Sequence, residues 1–154
     1  MDKRLITEEV VRVKAKCSDW KEAIHEGAEL LVKSGDITRE YENAILANFK
    51  DLGPYMVIAP RIVLSHARPE NGVNSTAMSM VTLETPIEFG SELNDPVTLV
   101  VTLAASDNTS HMETLSKLME LFMNAEDMDK IFEASSKEQL LTCLLYTSDA
   151  ADEL

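Results

Sequence analysis

Residues 95–106 read DPVTLVVTLAAS, and this stretch decides the class of fold. It is almost continuously apolar, which is typical of a central strand covered on both faces. Shorter runs rich in Val, Ile, Thr and Met precede it, separated by Pro, Gly, Asn and Asp: YMVIAP, IVLSH and STAMSMVTLE, at residues 55–60, 62–66 and 75–84. The segment VVRVKAK, at residues 10–16, alternates well enough for one further strand. The sequence therefore predicts one sheet.

Amphipathic segments lie on either side of these strands in the sequence. Residues 17–35 and 37–54 carry apolar side chains at helical spacing; the first segment ends at Gly35 and the second at Gly53-Pro54. Ser18 is placed to cap the first of these helices. Three more helices are predicted near the C-terminus: SHMETLSKLMELFMNA, EDMDKIFEA and SSKEQLL, at residues 110–125, 126–134 and 135–141. Helices that flank a set of strands predict an α/β fold, with layers around one sheet.

The length of the chain predicts one domain, which we place at residues 1–142. The remaining segment, residues 143–154, reads CLLYTSDAADEL and abandons the helical stripe before it. It does not look like a natural continuation of the domain. We therefore interpret residues 143–154 as a non-native tail and give them no functional weight.

The charge of the chain excludes several classes of partner. It has 27 acidic against 14 basic side chains, for a net charge of −13. Such a chain repels nucleic acid and anionic lipid. There is no signal peptide and no apolar stretch of membrane-spanning length, so we expect a cytoplasmic protein without direct membrane insertion. Its two cysteines belong to no metal-spacing motif, which fits a reducing compartment.

Two of the three histidines follow predicted strands. His66 ends the run IVLSH, and His111 opens a helix behind a Ser110–Glu113 capping box. Ligand sites of open α/β sheets gather beyond the carboxyl ends of strands, so these two side chains could converge. A neutral imidazole is a capable nucleophile towards phosphorus, and a protonated one stabilises the phosphoryl group by a charge-assisted hydrogen bond. His66 as acceptor and His111 as stabiliser form a coherent pair.

Structural roles for the same residues stay open at this point. A histidine at a strand end is most often a surface or hydrogen-bonded residue, and His111 would usually be an exposed first-turn residue. His25, on a helix beside Glu22, Glu26 and Glu29, is interpreted as structural. His66, His111 and Asp107 match no metal-ligand spacing. We predict no metal and no cofactor, and the absence of a glycine-rich loop disfavours a nucleotide-binding kinase.

Four residues near His66 in the sequence have uncertain roles. Ser65 is adjacent to His66 on a strand, so the two side chains point to opposite faces and a serine–histidine pair is a weak hypothesis. Arg61, Arg68 and Lys50 are basic. Each fits a surface charge, but in so acidic a chain one of them could offset the charge of a phosphate.

The segments GPYMVIAPRIVLSHARPENGV, at residues 53–73, and NDPVTLVVTLAASDNTSHMETLSKLMEL, at residues 94–121, together carry a family resemblance. They resemble the IIA components of the bacterial phosphoenolpyruvate-dependent sugar phosphotransferase system, in the mannitol/fructose superfamily and closest to the ascorbate-type branch. The resemblance covers roughly residues 5–142. It implies an α/β fold, a single mixed β-sheet of about five strands flanked by helices on both faces.

The resemblance also implies a phosphotransferase that relays a phosphoryl group. The family's phosphohistidine corresponds to His66 and its second, stabilising histidine to His111. The phosphate would come from the phosphocarrier protein HPr and pass to a IIB component, for transport of ascorbate or a related sugar. A regulatory module phosphorylated on the same histidine, which controls a transcription factor or an enzyme, is the alternative, and a homodimer is left open.

This chain departs from the family pattern at two positions before the histidine. Family members often have Gly-x-x-x-Pro-His, where this chain has Arg61 and Ser65 in place of the glycine and the proline. Losing the proline leaves a backbone N–H in the segment. The mannitol branch places an arginine near the phosphohistidine from the second helix, where Lys50 is the basic residue here.

Overall fold

A computed structural model of the chain describes residues 6–145, with the side chains of Asn108, Ser110, His111 and Leu145 outside the description. The strands are β1 (Val11–Ala15), β2 (Val57–Ala59), β3 (Ile62–Ser65), β4 (Ala77–Ile87) and β5 (Val97–Ala104). The helices are α1 (Trp20–Lys33), α2 (Arg39–Leu52), α3 (Asn108–Phe122), α4 (Ala125–Glu133) and α5 (Lys137–Leu145).

The strands form one mixed sheet in the order β1-β4-β5-β3-β2. Strand β5 is central and all eight of its residues are buried, as its apolar sequence predicts. It runs antiparallel to β4 and parallel to β3, whose last paired residue, Ser65, lies opposite Thr102. Strand β1 is parallel to β4, and β2 is antiparallel to β3. The predicted fold class is confirmed.

The helices cover both faces of the sheet. Successive side chains of β5 point to opposite faces, and they pack against different helices. Val100 packs in a core with residues of α1 and α2, such as Ile24 and Ile45. Leu99, Val101 and Leu103 pack in a second core with residues of α3, α4 and α5, which include Leu118, Ile131 and Leu140. The sheet is therefore packed against a buried layer on each face, and the segments that leave its edges start from this core.

Helix α1 lies unusually close to the sheet. A Cβ atom at Gly27 would clash with the hydroxyl of Thr102 on β5. The Ser79 hydroxyl on β4 donates a hydrogen bond to the Gly27 carbonyl at 2.7 Å. Glycine is therefore the residue that lets the α1 backbone approach β4 and β5 this closely.

Two predicted helix starts are wrong. Helix α1 is capped by Asp19, whose carboxylate accepts from the Glu22 N–H at 2.9 Å, and not by Ser18, whose own N–H donates to the Glu22 carboxylate. Helix α3 begins at Asn108, so His111 lies within its first turn and not at its first position. Several consecutive polar residues can cap a helix, and a capping-box spacing does not choose among them.

The C-terminal boundary predicted at residue 143 falls inside α5. The helix runs on to Leu145, and Leu144 is fully buried in the second core. Residues 146–154 lie outside the described residues, so their interpretation as a non-native tail stays a prediction. Within residues 6–145, no helix has the length and apolar character that crossing a membrane requires.

Candidate functional site

The candidate site lies at the edge of the sheet where β3 and β5 end. These strands are parallel, so their carboxyl ends lie at the same edge. His66 follows β3 directly, and the segment after β5 leads into the N-terminus of α3. Both predicted histidines therefore belong to segments that leave this edge. The side chain of His111 is outside the described part of the structure, and its role stays a prediction.

His66 lines an open cavity of about 630 Å³. The cavity is lined by residues of α2, of the segment before β2 and of the loop after β3: Asn48, Leu52, Tyr55, His66, Ala67, Arg68, Pro69 and Asn71. The imidazole is partly exposed, whereas Ser65 beside it is fully buried. The site is thus open to a large partner and backed by the closed core of the sheet.

The backbone sets the protonation pattern of the His66 ring. Its Nδ1 atom lies 2.8 Å from the carbonyl oxygen of Leu64. A carbonyl only accepts hydrogen bonds, so in the neutral ring the proton is on Nδ1 and the lone pair is on Nε2. The ring of Tyr55 stands edge-on to the imidazole, with ring centroids 6.1 Å apart. In this neutral tautomer Nε2 is therefore the ring nitrogen that carries the lone pair.

Arg68 is the one basic side chain among the described residues that line the cavity. It is exposed, and its guanidinium is 4.0 Å from the carboxylate of Glu70. Because this ion pair is long and in solvent, it holds the guanidinium weakly. The amides of Asn48 and Asn71, which the sequence did not single out, line the same cavity and can donate hydrogen bonds.

The other basic candidates lie away from the cavity lining. Lys50 is exposed on α2 and is not among the lining residues that the structure describes, whereas Asn48 on the same helix is. Arg61 precedes β3, at the opposite end of the strand from His66. Its φ of 71° falls in the left-handed region that favours glycine, the residue of the family pattern at this position.

The Arg61 side chain makes contacts that a glycine could not. Its guanidinium lies 3.8 Å from the ring centroid of Phe132 on α4, and its Nε donates to the Thr98 hydroxyl at 3.2 Å. A cation–π contact of this kind contributes about 0.5–2 kcal/mol, which is comparable to the cost of a left-handed residue. Arg61 is thus a structural residue that joins α4 to the start of β3 and β5.

Ser65 is buried and separate from the chemistry of His66. Its hydroxyl has no hydrogen-bond partner among the described residues, and the same is true of Thr102, its neighbour across the sheet. The argument against a serine–histidine pair therefore agrees with the geometry. Where the family pattern has proline, this chain has a serine whose buried hydroxyl has no hydrogen-bond partner among the described residues.

Apolar side chains are exposed around the cavity. Leu52 is 68% exposed and Tyr55 is 45% exposed, and both line it. An apolar rim of this kind suits a protein partner better than a small polar ligand.

His25 lies in a separate ion-pair network between α1 and α2. Its Nδ1 is 2.8 Å from the carboxylate of Glu42, and its Nε2 is 3.8 Å from that of Glu29. Arg39 bonds both carboxylates, at 2.6 Å to Glu29 and 2.7 Å to Glu42. The hydrogen bond from Arg39 lowers the pKa of Glu29 and raises that of Arg39. The three ligand-type side chains lie close enough to hold a metal ion, and the Arg39 guanidinium bonds the carboxylates of two of them.

These features define a class of protein: a mixed α/β domain with a partly exposed imidazole that lines an open cavity beside exposed apolar side chains. Residues 4–146 match the family model of the phosphoenolpyruvate-dependent sugar phosphotransferase system, EIIA 2. The chain belongs to this family. The phosphotransferase relay that the sequence resemblance implied is thereby confirmed as its class of function.

Individual relatives agree with this assignment. The chain is 37% identical, over 142 residues and 92% of each chain, to the ascorbate-specific phosphotransferase EIIA component of Escherichia coli. It superposes on the cryptic mannitol-specific enzyme IIA CmtB of Escherichia coli with a TM-score of 0.84 and 32% identity, over 92% of this chain and 95% of that one. For the IIA protein PtxA of Streptococcus mutans the TM-score is 0.82 at 28% identity, over 93% of both chains.

Proposed function

We propose that this protein carries a phosphoryl group on Nε2 of His66, in the cytoplasm, and relays it from HPr to a IIB component. The observation that carries the proposal is the 2.8 Å hydrogen bond between Nδ1 of His66 and the Leu64 carbonyl. The ring that makes it lines an open cavity. A further neighbour, the Escherichia coli mannitol IIA in a complex with phosphorylated IIB, supports the second partner; it has a TM-score of 0.79 and 25% identity over 90% of this chain and 96% of that one.

The transfer step balances between His66 and the donor group of phospho-HPr. The Nε2 lone pair of His66 attacks phosphorus, and a new N–P bond forms as the bond between phosphorus and the donor atom breaks, with the electron pair returning to the donor atom. The His66 ring becomes positively charged, because Nδ1 keeps its proton. Its hydrogen bond to the Leu64 carbonyl then becomes charge-assisted and stronger. The ring stays a good leaving group for onward transfer to IIB.

The phosphoryl group needs positive partners in a chain of net charge −13. Arg68 lines the cavity and can offer two parallel N–H donors to phosphate oxygens. The amides of Asn48 and Asn71 and the backbone amides that begin α3 are further candidates. We assign to Arg68 the largest share of the stabilisation of the phosphoryl group, since its guanidinium carries a full positive charge.

Ascorbate, or a related sugar, is the proposed transported substrate. The support is the 37% identity to the ascorbate-specific component of Escherichia coli, together with the resemblance of residues 53–73 and 94–121 to that branch. The carrier itself never contacts the sugar in this scheme, because the phosphate leaves on IIB. Specificity therefore depends on which IIB component docks over the apolar rim.

The proposal is tested by phosphorylating the protein with phosphoenolpyruvate, enzyme I and HPr. We expect one acid-labile phosphate per chain, and ¹⁵N NMR should show the N–P bond on Nε2 of His66. Addition of a IIB component of the ascorbate branch should discharge the label. A phosphate on Nδ1, or on another residue, would contradict the assignment.

His111 is the proposed stabiliser of the phosphoryl group. It lies in the first turn of α3, the helix that starts after β5. We expect His111→Ala to accept phosphate on His66 but to transfer it onward several-fold more slowly, because a hydrogen-bond donor to the transferring group is lost. Single-turnover transfer to IIB measures this, and an unchanged rate would remove His111 from the mechanism.

A further inference from the structure

Tyr41 lies at the point where β3 and β5 separate. It belongs to α2 and is buried, with 1% of its surface exposed. Its hydroxyl accepts a hydrogen bond from the Ala67 N–H at 2.9 Å and donates to the Leu103 carbonyl at 2.8 Å. The Ala67 carbonyl, at 3.1 Å, is a second acceptor within reach. One hydroxyl thus joins the residue after His66 to the end of the central strand.

This bridge continues the sheet beyond its regular pairing. The last register pair of β3 and β5 is Ser65 with Thr102. One step further, the Tyr41 hydroxyl links the two backbones in place of a direct bond between them. His66 therefore lies between two fixed points. Its ring is bonded to Leu64 on one side, and the next peptide is held at Ala67 on the other.

The same helix also holds the far end of the loop that carries His66 and Arg68. The Thr38 N–H, just before α2, donates to the Gly72 carbonyl at 2.9 Å. A Cβ atom at Gly72 would clash with the Thr38 hydroxyl and crowd Tyr41, so the loop packs tightly on the start of this helix. Residues 67–72 are thus attached to α2 at both ends.

The Tyr41 hydroxyl keeps its proton under physiological conditions. Burial raises the pKa of Tyr41 to about 12, against an opposing contribution from its hydrogen bond to Ala67. A protonated phenol can donate to Leu103 and accept from Ala67 at the same time, which a phenolate could not. The two hydrogen bonds therefore run in one direction: the Ala67 N–H donates to the Tyr41 hydroxyl, and that hydroxyl donates to the Leu103 carbonyl of the central strand.

We propose that Tyr41 is a positioning residue of the phosphoryl relay, whose buried hydroxyl fixes the loop after β3 so that the His66 ring is held with Nε2 ready for in-line transfer. This inference rests on the proposed function of His66 and adds a residue to it. Tyr41 does not touch the phosphoryl group. It acts through the Ala67 backbone and so on the orientation of the ring, which decides the rate of a transfer between two protein-bound groups.

The test is Tyr41→Phe, which removes the hydroxyl and keeps the ring. We expect the first-order rate of phosphoryl transfer at saturating phospho-HPr to fall about tenfold, with little change in the KM for phospho-HPr, because the exposed docking residues are untouched. Ser79→Ala is the matched control, since it also removes a buried hydroxyl bonded to a backbone carbonyl, on β4. Thermal unfolding of both variants separates loss of stability from loss of rate.

A second measurement tests how the His66 ring is held without any phosphoryl transfer. Long-range ¹H–¹⁵N NMR of the unphosphorylated protein should show His66 as the Nδ1–H tautomer, and Tyr41→Phe should shift it towards a mixture of tautomers. An unchanged His66 spectrum together with an unchanged transfer rate would overturn the positioning role, as would equal slowing in Ser79→Ala. Failure of the wild-type protein to be labelled on His66 would instead overturn the proposed function, and with it the role of Tyr41 in the relay, while the NMR comparison would still show whether the Tyr41 hydroxyl orients the His66 ring.

Discussion

Replacement of His66 by alanine is expected to abolish phosphorylation of the protein. The variant keeps β3, whose four residues are buried by the sheet, and loses the imidazole that lines the cavity. In the proposed mechanism the phosphoryl group is held by a covalent N–P bond to His66, so we expect no neighbouring group to replace the missing nitrogen. Incubation with phosphoenolpyruvate, enzyme I and HPr, followed by intact-protein mass spectrometry at neutral pH, should show no added phosphate.

His25→Ala is the matched control for this experiment. His25 is half-exposed and bonds Glu42 and Glu29 in the network between α1 and α2, away from the cavity lining. That variant should lose some stability, because the buried carboxylate of Glu42 loses its hydrogen bond to His25. Arg39 still bonds it, so the loss is partial. It should still accept one phosphate. Full labelling of the His66 variant, or loss of labelling in both variants, would contradict the assignment.

Reversal of the charge at Arg68 is expected to slow phosphorylation by about a hundredfold. A hydrogen bond to a charged group contributes about 1.5–3 kcal/mol, and each 1.36 kcal/mol is a factor of ten in rate. Arg68→Glu removes the guanidinium and adds a carboxylate beside the incoming phosphoryl group. Arg68→Lys should recover part of the rate, since lysine restores the charge but not the two-pronged donor. Rapid-quench measurement of transfer from phospho-HPr gives these rates.

Lys137→Glu controls for the change in net charge. Lys137 is exposed at the start of α5, on the face of the sheet opposite α1 and α2. The same two-unit change in charge there alters the long-range field of the protein without touching the cavity. Its transfer rate should stay close to that of the wild type. Equal slowing in both variants would show that the net charge, and not the position of Arg68, governs the rate.

Much of the fold could be predicted from local patterns. The apolar run at residues 97–104 is a buried central strand, and the amphipathic segments at residues 20–33 and 39–52 are helices. Both could be predicted because the spacing of apolar residues within a segment indicates its secondary structure. The exact caps could not be predicted in the same way. Asp19 and not Ser18 caps α1, since neighbouring polar residues compete for the same backbone N–H groups.

The candidate site was only partly visible in the sequence. His66 and Arg68 are two residues apart in the chain and both line the cavity. Asn48 and Tyr55 line it as well, but they come from α2 and the segment after it, and no local pattern connects them to a histidine. Lys50 was the basic residue noted on the second helix, yet the helix presents Asn48 to the cavity.

The sequence by itself determined the α/β class, the strand that precedes His66 and the family to which the chain belongs, because each depends on patterns within continuous segments of the chain. Tertiary structure decided which side chains from distant parts of the chain contact those residues. The hydroxyl of Tyr41 reaches Ala67 and Leu103 across 26 and 62 positions of sequence. Arg61 moves out of the set of phosphate-binding candidates because its guanidinium packs on Phe132. Both outcomes depend on how helices dock on the sheet, and docking is set by the packing of the whole core.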